Sequence, residues 1–170
     1  MAKATAKLVG SKSLAYSLKA QLRIGSAKKI QAVAGVKKNE TSDVDEGAIE
    51  KSKRISVYAA AQEFGAPSIG LPARPFLRPT YQMRKDEWHQ NLLFEIRRRG
   101  LGDIEGIMYR IAEDMMKSIK LTIRENKVTP PDKAATIKEK RRKGRPFPTI
   151  TLMDTASLVN RGLGFEVRKK

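Results

Sequence analysis

The chain has 170 residues, 40% of them hydrophobic and 31% charged, with no cysteine and a single histidine; at this length one domain buries about 70% of its unfolded surface. These counts exclude disulfides, thiolate metal sites and any motif that needs two histidines. No apolar run approaches the roughly 20 residues of a membrane-spanning helix, so a soluble protein without metal, cofactor or membrane contact is expected.

A net charge of +17 points to a polyanionic partner or neighbour. The ten aromatic residues include no glycine-aromatic signature of an RNA-binding sheet, so the charge comes without a base-stacking device.

In chain order, residues 1–29 are rich in Ala, Ser and Lys and hold no apolar block of signal-peptide length. Leu14, Leu18 and Leu22 recur at every fourth position and predict a short helix over residues 11–23, ending at Gly25. Residues 1–28 therefore read as an N-terminal basic segment with a short helix, and residues 29–170 as one α+β domain. Residues 29–38 and 53–65 mix β-branched and apolar positions, with Ile55, Val57 and Ala59 alternating in the second, and predict a β-hairpin. Its loop carries Glu40, Asp43, Asp45, Glu46 and Glu50 with no Lys or Arg between residues 39 and 50. At about a dozen residues it is longer than most hairpin connections, and its DVDEG lacks the ligand ladder of a calcium loop.

The stretch GLPARPFLRPT, residues 70–80, holds Pro72, Pro75 and Pro79 among Arg74, Phe76, Leu77 and Arg78. Its prolines fix φ and push the preceding residues toward extended backbone, which predicts a stiff connector into a helix that begins at Pro79. Tyr81, Trp88, Leu92 and Ile96 form one stripe of that helix, which ends at Arg97, Arg98, Arg99 and Gly100. His89 reads as a surface or half-buried position on it. A second long helix, about 103–126, carries Ile104, Ile107, Met108, Ile111, Met115, Ile119 and Ile123 at helical spacing behind Asp103 as cap.

Residues 128–149 hold four prolines and the basic run KEKRRKGR, and read as an extended arm. Asp154 or Thr155 then caps a turn of helix, and Leu163, Phe165 and Val167 alternate as a strand. The expected fold is α+β: a small antiparallel sheet, made of the long-loop hairpin and the C-terminal strand, packed against two long helices with a Pro-rich basic arm.

The segments VYAAAQEFG, PARPFLRPTY, TPPDKAATIKEKRRKG and DTASLVNRGLGFEVR resemble, in order and spacing, the virion-morphogenesis and minor-tail-protein group of tailed bacteriophages, which includes the Z-type tail-completion proteins of lambda-like phages. The resemblance covers about residues 50–168, and ARPFLRPT is its most specific piece. The family pattern reads Asp-Thr-Gly where this chain has Asp154, Thr155 and Ala156; a left-handed turn at that glycine would strain an alanine.

The resemblance implies a structural subunit without catalysis, a tail-completion or neck protein that joins tail to head in the virion as a six-fold or twelve-fold homo-oligomeric ring. Adjoining neck, tail or connector proteins are the implied partners, with DNA contact incidental. Pro72, Arg74, Pro75, Phe76, Leu77 and Arg78 are then candidates for a subunit interface, with Phe76 either in this subunit's core or in its neighbour's. Lys138, Lys140, Arg141, Arg142, Lys143 and Arg145 are candidates for charged contacts, and Asp154 and Thr155 for a structural cap. The alternative is a basic DNA-binding protein, marked by steeply salt-dependent affinity.

Overall fold

A computed structural model of the chain describes residues 2–5, 14–24, 28–37 and 55–169; residues 2–5, 14–24 and 28–29 are described by their backbone alone. The acidic segment between residues 39 and 50 lies outside the described residues.

The fold is α+β. Strands β1 (Ala2–Thr5), β2 (Leu14–Ile24), β3 (Lys28–Lys37) and β4 (Leu163–Lys169) form one antiparallel sheet in the order β1-β2-β3-β4. The short helix expected over residues 11–23 is instead β2. A spacing of four is also a multiple of two, and here every even position from Leu14 to Ile24 is apolar, so the strand period fits the whole segment. The register sets Leu18, Ala20 and Leu22 opposite Ala34, Ala32 and Ile30 of β3. On the other side β3 pairs with β4, Ala34 facing Phe165, which fulfils the expectation of a C-terminal strand.

The second arm of the expected hairpin, residues 53–65, is helix α1 (Ile55–Phe64). Its β-branched residues stand only in the first turn, and Ala59, Ala60, Ala61, Gln62 and Glu63 favour helix strongly enough to decide the segment. The hairpin itself is β2–β3, with a short connection.

Helix α2 (Leu77–Arg99) begins two residues before Pro79, which occupies the third helical position, where the missing N–H is still one of the unpaired first four. Helix α3 (Ile104–Arg124) buries all seven residues of its apolar stripe and packs on β3, β4 and α2. Trp88 and Leu92 of α2 are buried and Tyr81 and Ile96 lean on the same core. Two polar contacts join the helices: the Thr80 hydroxyl lies 2.7 Å from that of Thr122, and the Trp88 indole donates to Ser118 Oγ at 3.3 Å. Asp103 sits at the first end of α3 without a side-chain capping hydrogen bond; it takes Arg99 instead at 3.2 Å.

Residues 128–149 are not an extended arm. They contain α4 (Ala134–Arg142), a run of Ala, Glu, Lys and Arg set between the prolines before it and Gly144, at φ 64, after it. Val128 is buried in the common core, and Asn126 Oδ1 accepts the Thr151 amide at 3.0 Å, so this part folds back on its own chain. A single turn of π-helix, Leu158–Gly162, leads into β4. At Gly162 a Cβ would stand 2.5 Å from Ile55 Cγ2, so glycine is what lets α1 lie against this turn. Among the described residues, no helix is long and apolar enough to cross a membrane.

Candidate assembly site

The proline-braced segment is held at both ends by buried charge. The Glu63 carboxylate, at the end of α1, reaches the start of α2 and accepts the Phe76 amide at 2.7 Å, the Leu77 amide at 3.0 Å and the Arg78 amide at 3.3 Å. No residue at the α2 N-terminus caps its own helix, so a carboxylate from the preceding helix takes the unpaired amides and meets the positive end of the dipole. Arg78 closes the clamp, donating through Nε to Glu63 Oε1 at 3.1 Å and through a terminal nitrogen to the Glu63 carbonyl at 2.7 Å. Its guanidinium also lies over the Phe64 ring, 5.6 Å from the centroid.

Upstream in the segment, Arg74 is buried. Its Nε donates to the Pro130 carbonyl at 3.1 Å and its NH2 stands 3.5 Å from Asp132. Asp132 also receives Lys140 Nζ at 2.7 Å, and Lys140 donates to the Ile150 carbonyl at 2.9 Å. This Arg74–Asp132–Lys140 group fastens α4 and the loops around it to the proline segment. A buried charge trio of this kind is costly to break because any partner left alone stays desolvated.

The candidate interface residues therefore divide. Phe76 is 0% exposed and Leu77 1%, so both are anchors of this subunit's own core. Arg74 is structural, Pro75 is half-buried, and Pro72 and Arg78 remain at the surface. What the braced segment presents outward is the turn ahead of it, the 3-10 turn Pro67–Ile69, with Ile69 75% exposed.

The candidate charged contacts divide as well. Lys140 is an internal partner of Asp132, and Arg145 donates to Asp154 at 3.0 Å. Arg142 and Lys143 turn onto Glu139 within α4, and the Arg142 hydrogen bond, the largest cause, holds the Glu139 carboxyl down at about 2. Lys138 and Arg141 are exposed on the same helix. Neither Asp154 nor Thr155 forms the expected cap: Asp154 pairs with Arg145, Thr155 shares a hydroxyl hydrogen bond of 2.6 Å with Ser157, and the π turn has no side-chain cap. Asp154 is drawn aside by a nearby cation, and the turn it precedes is not a regular α-helical start with amides facing it.

Ala156 has φ 57, and Leu152, four residues before it, has φ 65. Both are in the left-handed region that costs an L-residue about 1–2 kcal/mol. Between them the chain walls a cavity of about 150 Å³ lined by Ile55, Tyr58, Leu152, Ala156, Leu158 and the Asp154–Ser157 turn. Tyr58 is one of its walls and is partly exposed. Burial, then the charges of Asp132 and Asp154 against the weaker opposing effect of Arg74, push the Tyr58 hydroxyl up to about 12.

A second depression, about 770 Å³, lies between α2 and α3; Glu95 in its lining pairs with Arg98 and Arg99 on its own helix and with Arg110 of α3. The Arg98 hydrogen bond is the main reason the Glu95 carboxyl lies below its usual range. Among the described residues no group of three or more His, Cys, Asp or Glu is placed to hold a metal ion.

The Glu63 clamp, the Arg74–Asp132–Lys140 group and the cavity have no signature in the sequence. Each joins residues far apart in the chain, and only the turn around Ala156 could have been suspected, through an alanine at a position where the resemblance leads one to expect glycine. No family model, curated protein or solved structure matches the chain.

Proposed function

We propose that the chain is a structural subunit of a tailed-phage virion, a tail-completion or neck protein that joins the tail to the head through a homo-oligomeric ring. One observation carries the reading on the structural side. The segment with the most specific family resemblance is clamped to α1 by Glu63 and to residues 130–140 by Arg74, and it presents an apolar residue, Ile69, on a rigid turn. A side chain held out in this way loses little freedom on docking, which favours lasting contacts between subunits. In a closed ring the same weak contact is repeated, and repetition makes it strong.

In this role the exposed cations Lys138 and Arg141, with Arg142 and Lys143 beside them, guide encounter with acidic surfaces of adjoining virion proteins, and DNA passing through the ring meets them incidentally. Changing these four to glutamine while keeping Lys140 slows head–tail joining at moderate salt and leaves melting unchanged. Normal joining by this variant, combined with lost DNA binding, contradicts the assignment. A DNA-binding protein is the second reading, favoured by the +17 charge; it requires duplex affinity that falls with salt at a slope of about −0.9 per neutralised phosphate, and a shallower slope in the variant.

A further inference from the structure

We infer that the groove between the first half of α2 and the second half of α3, about 470 Å³, holds the phosphate backbone of duplex DNA on Lys120 and Arg124. Such a site works in a monomer as well as in a ring, and it uses residues other than those of α4. The Thr80–Thr122 and Trp88–Ser118 contacts set the two helices antiparallel, which brings Arg84 level with Lys120. Lys120 and Arg124 both line the groove, and at a spacing of four residues they share one face of α3.

The charges of the groove do not cancel at this end. Glu87 is taken by Arg84 at 2.6 Å and Lys117 by Glu113 at 3.0 Å, while Asp114 lies about 9 Å further along the α3 axis from Lys120, at the opposite end of the lining. Among the described residues Lys120 and Arg124 have no carboxylate partner. Lys120 is half-buried, and burial first, then the charges of Arg124 and of Lys37 at the end of β3, lower the pKa of its amine. Cations crowded and partly desolvated in this way repel one another in the free protein, and an anion settling among them removes the repulsion.

The chemistry favours phosphate over carboxylate. Carboxylates brought close together begin to hold protons, as Asp114 does here, raised by burial and, against the pull of Lys117, by Glu113 and Glu87; a phosphodiester keeps its charge however near its neighbours stand. Duplex DNA carries one such charge per about 1.7 Å of its axis, the density that crowded cations need, and the Arg124 fork and the Lys120 ammonium both suit phosphate oxygens. Trp88, the aromatic residue of the lining, is 3% exposed and donates its N–H to Ser118, so no ring is offered to a base and the contact stays with the backbone, whatever the DNA sequence.

Fluorescence anisotropy of a short labelled duplex, titrated with the purified chain over a series of chloride concentrations, tests the site. Lys120→Gln with Arg124→Gln is expected to weaken duplex binding about tenfold and to make the salt slope shallower by about 2, the share of two phosphates. Lys85→Gln with Arg97→Gln removes the same charge from exposed positions of α2 outside the groove and is expected to keep most of the affinity and the slope. Lys120→Gln alone is expected to melt no lower than wild type, because it removes a repulsion. A wild type that does not bind the duplex, or equal losses in the two double variants, overturns the site, the second by showing that net charge alone is felt. A lower melting temperature for Lys120→Gln overturns it by assigning that lysine to the fold, and displacement of the duplex by poly-glutamate as readily as by unlabelled duplex of equal charge overturns it in favour of an acidic protein surface. None of these outcomes bears on the ring, which is read from the mass of the assembled species.

Discussion

Replacing Glu63 tests whether one buried carboxylate organises the proline-braced segment. In the native chain it accepts the amides of Phe76 and Leu77 at 2.7 and 3.0 Å, both in buried surroundings, and the longer Arg78 amide bond. Glu63→Ala strands the first two donors where water does not reach. Each unsatisfied buried amide costs about 1–3 kcal/mol, and the half-exposed Arg78 recovers most of its own loss in water, so a total of about 3–5 kcal/mol follows. Glu63→Gln keeps one oxygen for the two amides but removes the charge, which roughly halves such bonds, and turns its NH2 toward Arg78; about 1–2 kcal/mol is expected. In a chain of this size 1 kcal/mol corresponds to about 2–4 °C of melting temperature. Thermal melts followed by far-ultraviolet circular dichroism, at one fixed protein concentration so that self-association does not shift the midpoint, give the order wild type, Gln, Ala. An alanine variant that melts within about 2 °C of wild type refutes the clamp, and a glutamine variant as damaged as alanine refutes the partition between charge and geometry.

Four further outcomes follow from the same contacts. Phe76→Ala costs about 3–5 kcal/mol of subunit stability, read in urea unfolding of the dissociated chain, because the ring is wholly internal. Lys140→Ala leaves Asp132 without its closest cation and costs about 3–5 kcal/mol, whereas Arg141→Gln on the exposed face stays within about 0.5 kcal/mol, both by the same unfolding assay. At Ala156, glycine relieves about 1 kcal/mol of left-handed strain but loses about 0.8 kcal/mol of methyl burial, so Ala156→Gly melts close to wild type while the β-branched Ala156→Val melts well below it. Tyr58 ionises near its ordinary 10 when unfolded and near 12 when folded; the folded state therefore holds the extra proton between those values, stability falls as pH rises through that window, and Tyr58→Phe flattens the fall in alkaline melts.

The long helices were legible because a seven-residue apolar stripe at helical spacing allows one reading of residues 104–123. Residues 14–24 are ambiguous if only leucines are counted, since Leu14, Leu18 and Leu22 fit both periods; including Tyr16, Ala20 and Ile24 resolves them as a strand. At residues 55–64 the alternation of Ile55, Val57 and Ala59 competes with helix propensity from three successive alanines, and propensity wins in a segment that packs through Ile55 and Ala59 on β3. Prolines bracketing residues 134–142 hide α4, though they mark its boundary rather than forbid it.

That residues 72–79 form a braced segment was legible in the sequence, but the direction its apolar pair faces was not. ARPFLRPT is the organising segment, yet its apolar pair faces inward, because Glu63, thirteen residues upstream of Phe76, pulls the backbone of that pair to the end of α1. Lys140 reads as one more cation of a basic run, and only its distance of 2.7 Å from Asp132, across a turn that periodicity does not describe, makes it internal.

The central claim, a ring-forming joining subunit, is tested most directly by native mass spectrometry of the purified chain across a range of concentrations. The account predicts one dominant species at a fixed whole multiple of the chain mass, six-fold or twelve-fold, that stops growing as concentration rises. A chain that remains monomeric throughout, or that extends without limit into open filaments, contradicts it.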